Sequence, residues 1–353
     1  MCNIAGYVGT RRAAPILMEM IRAQEGWGGG YYTGIATIHE GRIHYAKLTG
    51  DADRLERETD ALNLPGTVGI IHSRSQSGGG DKWAHPFIGG KDGKETMAYV
   101  ANGSYGCFAD RTEEASRIAA SLAEDGYELT SRQMGAVGRY PMLPDGSCAH
   151  MSDVMAQLIA KKIDGGLDAS SAMNSAFCQM PSEIVGLLLS LTEPDAIIFS
   201  RVNQPMNVAF APHGAYLATA ALAFPEDAGE STMLPASSGG RIYCDHFTSG
   251  PYENAPGTVA KLTAEVVAEA YASIAGLLKT GAFSIGQLAR HIRPLFDEAD
   301  CVPSAMLAYH VLHALKAKGR LRTIVSRVDG AREGLDAPLF RAAVGERQSE
   351  AEE

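Results

Sequence analysis

The chain has 353 residues, 45% of them hydrophobic and 20% charged, which is enough apolar material for a large core and more than one domain. Its 41 acidic residues outnumber 31 basic ones, giving a net charge of −10, so nucleic acid or an anionic membrane is disfavoured as its main partner. The sequence lacks a bilayer-spanning apolar run and a signal-peptide pattern, and a cytoplasmic enzyme is therefore expected.

The first predicted element is a strand that begins beside Cys2. Apolar residues at positions 4, 5, 7 and 8 indicate a buried strand rather than a solvated tail. Cys2 follows the initiator Met1, and its small side chain favours removal of that methionine. The mature chain would then begin with a thiol next to a free α-amino group with a reference pKa of about 7.7–8.0, which is a built-in general base.

Helices and strands then alternate in a pattern typical of two sheets with helices packed on them. Helical periodicity starts near Pro15, stops at the glycine-rich segment 26–30, and returns at residues 51–62, at 112–125 and from about 152. Strand patterns cover residues 31–39, 42–48, 67–71, 97–101, 184–191, 196–199, 206–210, 215–221 and 241–244. We expect the four strands between residues 184 and 221 to form an antiparallel meander.

A cluster of turn-forming residues at 249–257 marks a second unit. Helical patterns at 258–279, 284–292 and 303–318, followed by a strand at 321–328, resemble a winged-helix module. Residues 281–330 contain seven basic and four acidic side chains, a net charge of +3, and the third helix carries mainly core-type residues. Packing or dimerisation is thus favoured over DNA binding. The predicted domains are 1–250, 257–330 and a partly disordered acidic tail at 331–353.

The six cysteines are widely separated, and no two stand at the two-residue spacing of zinc or redox motifs. Neither a disulfide framework nor a structural metal site is therefore expected. Cys2 is singled out by its position at the start of the chain.

Four polar segments follow one another in an order that resembles a known enzyme family. They are Cys2, residues 72–78, Asn102-Gly103 and Ser152-Asp153. The start, Cys-Asn-Ile-Ala-Gly, is similar to the Cys-Gly-Ile-x-Gly of the class II glutamine amidotransferases, the family of N-terminal-nucleophile glutaminases. Residues 72–77 and 84–86 are similar to its His-x-Arg-(Trp/Tyr)-x-Thr and Ala-(His/Gln)-Pro stretches. The resemblance covers about the first 245 residues.

The resemblance implies a catalytic role for three residues. Cys2 would attack the side-chain amide of glutamine to give a γ-glutamyl thioester and ammonia, with its own α-amino group as base. The side-chain N–H of Asn102 and the backbone N–H of Gly103 would bind the tetrahedral oxyanion. No metal or organic cofactor is implied.

The resemblance also implies that L-glutamine is bound by Arg74, Ser77 and Asp153. A planar guanidinium at position 74 suits bidentate binding of the α-carboxylate, and Asp153 would pair with the α-ammonium group. Each residue has a plainer interpretation. Arg74 could form a surface ion pair, Asn102-Gly103 could be a hairpin turn, and Asp153 could cap a helix. His72 and His85 are interpreted as structural.

This sequence departs from the family pattern at two places. Asn3 replaces the glycine after the nucleophile, and Ser75-Gln76 replaces the pair that contains an aromatic residue. Amide cleavage is therefore predicted more firmly than glutamine specificity.

The predicted fold is α+β, a four-layer α/β/β/α N-terminal-nucleophile hydrolase domain followed by a small helical, winged-helix-like domain. The leading functional hypothesis is a glutaminase that supplies ammonia to a partner synthase or transferase subunit. A stand-alone γ-glutamyl amide hydrolase and a non-catalytic regulatory or scaffold subunit are the alternatives. The sequence leaves homo-oligomer formation open.

Overall fold

Two antiparallel sheets pack face to face at the centre of the fold. The computed structural model describes residues 2–257, 259–296 and 301–345. Its strands are β1 (Asn3–Gly9), β2 (Tyr32–His39), β3 (Arg42–Thr49), β4 (Val68–Arg74), β5 (Phe87–Gly89), β6 (Met97–Ser104), β7 (Gln133–Met134), β8 (Ser147–Cys148), β9 (Glu183–Ser190), β10 (Glu193–Arg201), β11 (Asn207–Ala211), β12 (Gly214–Ala218), β13 (Ser231–Met233), β14 (Ser238–Ile242), β15 (Phe247–Pro251), β16 (Leu321–Asp329) and β17 (Asp336–Val344). Its α-helices are α1 (Ala13–Glu25), α2 (Ala52–Glu58), α3 (Thr112–Glu124), α4 (Met151–Asp164), α5 (Ala169–Gln179), α6 (Ala264–Leu278), α7 (Ile285–Ile292) and α8 (Ser304–Ala317).

The sheets and helices form four layers. One sheet has the strand order β13-β11-β12-β1-β4-β2-β3 and the other has the order β15-β14-β10-β9-β6-β5. Helices α1 and α2 pack on the outer face of the first sheet, and α3, α4 and α5 form the layer outside the second. An apolar cluster with members from both sheets fills the space between them. The predicted α/β/β/α architecture is confirmed.

Strand β1 lies inside the first sheet, between β4 and β12. Both of its faces are covered, so the strand needs the apolar run that follows Cys2 in the sequence. A β-carbon at Gly6 would lie 3.1 and 3.2 Å from methyl groups of Ile197 and Leu187 in the second sheet. Glycine at this position therefore lets the two sheets approach closely beneath the start of the chain.

The predicted meander over residues 184–221 is wrong. Strands β9 and β10 pair in the second sheet, whereas β11 and β12 pair in the first. The chain crosses between the sheets after Arg201, whose buried guanidinium donates to the carbonyls of Gln204, Asn203 and Leu234 at 2.6, 3.1 and 2.6 Å. These bonds satisfy backbone groups of the crossing, which allows it to run through the interior.

The C-terminal unit consists of α6, α7 and α8 with the hairpin β16–β17. Its apolar cluster also includes Trp27, Ala220 and Leu222, so it shares a core with the preceding sandwich of sheets. Helix α6 begins at Ala264, after the Thr263 cap, and the predicted start at residue 258 lies outside the described residues. The winged-helix-like character of this unit stays a prediction. Within the described ranges, every helix is too short or too polar to cross a bilayer.

The predicted tail at 331–353 is wrong for residues 336–344, which form β17. This strand pairs with β16 along its whole length, from Asp329↔Asp336 to Leu321↔Val344. Ala337, Ala342 and Ala343 are buried, so the segment has the apolar side that a packed strand needs. Residues 346–353 lie outside the described residues. The helix α5, with residues 169–179, was also absent from the sequence predictions.

Candidate active site

The ends of three strands meet at one cavity. Cys2 immediately precedes β1, Arg74 ends β4 and Asn102 lies near the end of β6, so both sheets contribute. The cavity has a volume of about 650 Å³. Its lining residues are Cys2, Arg74, Ser75, Ser77, His85, Ala101, Asn102, Gly103, Ser104, Tyr105, Gly106, Ala109, Arg139, Tyr140, His150, Met151, Ser152, Gln204 and Ala305. Five of the six residues predicted for the site are among them, and Asp153 is absent.

The Cys2 thiol is partly exposed and held by its neighbours. Its Sγ lies 3.6 Å from the hydroxyl of Ser75 and accepts from the backbone N–H of Ser75 at 3.5 Å. Burial raises the pKa of the thiol, but the His72 imidazole, the positive charge of the chain terminus and the Ser75 N–H outweigh it and lower the pKa to about 6. The thiolate, which is the nucleophilic form, is therefore favoured at neutral pH.

Asn102 bonds directly to the first residue of the site. Its Oδ1 accepts from the backbone nitrogen of Cys2 at 2.9 Å, which fixes the orientation of the amide. Its Nδ2 is buried and has no hydrogen-bond partner within the described part of the chain. An unpaired buried donor is costly, so this group is poised for an acceptor supplied by a ligand.

The backbone conformation at position 103 requires glycine. The φ of Gly103 is +148°, and a β-carbon would lie 2.1 Å from the Glu183 carbonyl oxygen. In the structure Asn102-Gly103 is paired with Val185 and Ile184 of β9, so it continues a strand. The alternative interpretation as a hairpin turn is therefore wrong.

Arg74 is 1% exposed and is not a surface ion-pair residue. Its guanidinium carbon lies 4.5 Å from the Tyr32 ring centroid and 5.6 Å from that of Trp83. Its Nη1 donates to the Gly78 carbonyl at 3.0 Å and its Nη2 to the Tyr140 hydroxyl at 3.3 Å. The two rings and two hydrogen bonds hold the cation in a fixed position on the cavity wall.

Asp153 is fully buried behind the cavity wall. One carboxylate oxygen accepts from both the N–H and the hydroxyl of Ser131 at 2.7 Å, and the other has no hydrogen bond to any residue that the structure describes. Burial raises the pKa of this carboxyl group. The cap of α4 is His150, whose side chain accepts from the Ser152 N–H, so the capping interpretation of Asp153 is wrong.

His72 influences the Cys2 thiol, although the sequence interpretation gave it only a structural role. It pairs with Ile4 in the ladder between β4 and β1, two positions before Arg74 on the same face. Its Nε2 must carry a proton, because it bonds to the Ala101 carbonyl oxygen at 2.9 Å. Its Nδ1 has no hydrogen-bond partner among the described residues, and the ring lowers the pKa of Cys2. The alternation of His72 and Arg74 along one strand was the available signal.

One disulfide joins the cavity wall to the C-terminal unit, although the spacing of the cysteines led us to expect no disulfide framework. The α-carbons of Cys107 and Cys301 are 5.9 Å apart. Each cysteine lies close in sequence to a residue that lines the cavity, Gly106 for Cys107 and Ala305 for Cys301. A Glu183 oxygen lies within 4.8 Å of both sulfurs, but sulfurs bonded to each other are not free to hold a metal. The separation of 194 residues gives no spacing signal.

Comparison with known proteins confirms the resemblance to the class II glutamine amidotransferases, a family of enzymes, with the fold of N-terminal-nucleophile hydrolases. No family model matches the chain. Curated relatives are glutamine–fructose-6-phosphate aminotransferases: that of Mesorhizobium japonicum is 26% identical over 66% of this chain and 34% of its own length. That of Streptomyces coelicolor is 28% identical over 64% and 32%, and that of Pyrococcus horikoshii 27% over 70% and 37%. The chain therefore spans about a third of their length.

Solved structures agree on the fold. The glutamine phosphoribosylpyrophosphate amidotransferase from B. subtilis, complexed with ADP and GMP, has a TM-score of 0.58 and 14% identity, covering 90% of this chain and 64% of its own. A structure described as the allosteric regulatory enzyme of purine biosynthesis has a TM-score of 0.59 and 15% identity, covering 93% and 67%.

Proposed function

We propose that the chain is a glutaminase that cleaves the side-chain amide of L-glutamine with Cys2 as nucleophile. The observation that carries the proposal is the pairing of Cys2 and Asn102. A thiol with its pKa lowered to about 6 stands beside an amide that binds the Cys2 nitrogen through Oδ1 and keeps Nδ2 unpaired. A nucleophile and an adjacent unused donor are the two groups that acyl transfer requires.

The reaction proceeds in two acyl-transfer steps after removal of Met1. The Cys2 sulfur attacks the amide carbon of glutamine, and the carbonyl electron pair moves to oxygen, where Asn102 Nδ2 and the Gly103 N–H stabilise it. The tetrahedral intermediate collapses as the C–N bond breaks, and the leaving nitrogen takes a proton from the α-ammonium group of Cys2. Water then attacks the γ-glutamyl thioester, which releases glutamate and returns the thiol.

Substrate recognition is assigned to Arg74, Ser77 and Asp153. Arg74 and Ser77 line the cavity and would bind the α-carboxylate. Asp153 lies in the first turn of α4 and does not line the cavity, so its contact with the α-ammonium group requires that turn to shift when substrate binds. Its unpartnered oxygen is the group available for that contact.

The ammonia would be consumed by a synthase or transferase on a separate subunit. The aminotransferase relatives are about three times as long as the part that this chain matches, and their names describe transfer to a sugar phosphate. We assign the glutaminase to residues 1–250 and a partner-contacting or scaffolding role to the helical unit that follows. A cytoplasmic location remains a prediction from the sequence.

The size of the cavity favours one further substrate class. About 650 Å³ lies within the range of roughly 300–1,000 Å³ that is typical of sites for drug-sized ligands. A γ-glutamyl amide with a larger leaving amine would therefore fit. Comparing turnover of glutamine with that of γ-glutamyl-p-nitroanilide distinguishes the two substrates.

The proposal is tested with the full-length protein and two cysteine variants. Mass spectrometry should show a mature chain that begins with Cys2, and glutamate release from glutamine should be lost in Cys2→Ala. The matched control Cys244→Ala removes an exposed free cysteine and should retain wild-type turnover. A wild-type protein with a free Cys2 terminus and no turnover of either amide would overturn the proposal.

A further inference from the structure

Helix α8 of the C-terminal unit reaches the strand that carries the nucleophile. Ala305, in its first turn, lines the cavity, and Met306 accepts from Arg201 Nη2 at 3.0 Å. One turn further on, the hydroxyl of Tyr309 accepts from Asn3 Nδ2 at 3.3 Å. The two residues are 306 positions apart in the sequence. The side chain next to the nucleophile is therefore bonded to the C-terminal unit.

This hydrogen bond is fully removed from water. Asn3 is 0% exposed and Tyr309 is 2% exposed. The other polar atom of the amide, Asn3 Oδ1, has no partner among the residues that the structure describes, and within them the bond to Tyr309 is the amide's one hydrogen bond. Loss of the Tyr309 hydroxyl would leave the amide of Asn3 buried without a hydrogen bond. Because a buried unpaired amide is energetically costly, we expect the Asn3 side chain to move.

Movement of Asn3 would displace Cys2. Successive side chains on a strand point to opposite faces, so the Asn3 amide is held on one side of β1 while the Cys2 sulfur meets Ser75 on the other. The backbone of Asn3 is paired with Ser73 in the ladder with β4. The hydrogen bond to Tyr309 therefore holds Asn3, and the position of Asn3 determines the position of Cys2 at the start of β1.

We propose that Tyr309 is a positioning residue for the Cys2 nucleophile, acting through Asn3, so that the C-terminal unit sets the reactivity of the thiol. The inference rests on the proposed function.

The test compares Tyr309→Phe with Tyr271→Phe, a control that removes the hydroxyl of another tyrosine of the unit, bonded to Lys318 at 3.2 Å. Two quantities are measured: steady-state glutamine turnover and the rate of Cys2 alkylation by iodoacetamide, followed by mass spectrometry. Tyr309→Phe should lower kcat and the alkylation rate about tenfold, the size expected for one lost hydrogen bond, with KM changed less than twofold. Tyr271→Phe should leave both quantities unchanged.

A double variant separates positioning from packing. Asn3→Gly should produce a loss similar to that of Tyr309→Phe, and the combined variant should lose no more than either, because both remove the same bond. Additive losses, or a Tyr309→Phe protein with wild-type kcat and alkylation rate, would overturn the inference. The alkylation rate can be measured without glutamine. A wild-type protein with a reactive Cys2 and no glutamine turnover would refute the proposed function, and the effect of Tyr309→Phe on alkylation would still test the positioning role of Tyr309.

Discussion

The sandwich of sheets and the C-terminal unit bury their strands differently. Every residue of β4 is buried, and it ends in the cavity at Arg74. Strand β16 alternates between partly buried and exposed residues, and Val325 is 64% exposed. A strand covered on both faces fixes the side chains at its end, whereas a two-stranded hairpin with one open face does not. The cavity is therefore lined mainly by residues of the sandwich, and the C-terminal unit contributes Ala305 to its wall and Tyr309 to the bond with Asn3.

The largest effect should come from a residue at the end of a sandwich strand. Asn102→Ala removes the unpaired Nδ2 donor and should lower kcat for glutamine by about 10²–10³-fold, the usual cost of one oxyanion donor. Asn63→Ala, which removes an exposed amide, is the control. Steady-state kinetics that show less than a threefold loss for Asn102→Ala would remove this residue from the oxyanion site.

The next effect concerns the covalent link between the two regions. Cys107→Ser and Cys301→Ser should each lower the free energy of unfolding by about 2–4 kcal/mol, the typical contribution of a disulfide. The measurement is denaturant unfolding without reductant, with Cys244→Ser as the unchanged control. If reductant destabilises the wild type and the two variants equally, the bond does not contribute.

A smaller effect should appear in the reactivity of Cys2 towards iodoacetamide. The wild-type rate should rise as the thiol ionises and reach half of its maximum near pH 6. His72→Asn removes the main group that lowers this pKa, so the midpoint should move to higher pH and the rate at pH 6.5 should fall at least about tenfold. His44→Asn, far from the thiol on β3, is the control. An unchanged midpoint in His72→Asn would assign the low pKa to other groups.

The smallest effect concerns a buried acid near the contact between the two regions. Burial and the charge of Asp51 raise the pKa of Glu25 from 4.5 to about 8, while the Ser73 hydroxyl and the Ala52 N–H lower it. The pKa of Glu25 is higher in the folded state than in the unfolded state, so its contribution to the free energy of unfolding is fully present below pH 4.5. Between pH 4.5 and about 8 that contribution decreases by about 1.4 kcal/mol per pH unit.

Glu25→Gln should therefore flatten the pH dependence of stability between pH 5 and 8. Unfolding free energies measured across that range should fall less steeply in the variant than in the wild type. Glu58→Gln, an acid on the surface of α2, is the control and should preserve the wild-type slope. Parallel curves for Glu25→Gln and wild type would mean that Glu25 is ionised in the fold.

Much of the sandwich and of the site was accessible from the sequence. The apolar run after Cys2 predicted a buried strand at β1, because the burial of a strand follows from its local pattern. The order of the strands in the sheets does not follow from local pattern, and the meander predicted for residues 184–221 was therefore wrong. The placement of Asp153 was not accessible, since the adjacent residue Ser152 lines the cavity while Asp153 lies in the interior. The Tyr309 contact and the Cys107–Cys301 bond join distant segments and leave no periodic trace.

The position of β1 inside its sheet has a consequence for biosynthesis. One neighbour, β4, ends at Arg74, but the other, β12, is formed by residues 214–218. A nascent chain emerges from its N-terminus onwards, and pairing between such distant segments forms late. The first residues therefore remain unpaired on one side until more than 200 others have been made. That interval is available for a peptidase to remove Met1, and β1 gains its second neighbour only after more than half of the chain has been made.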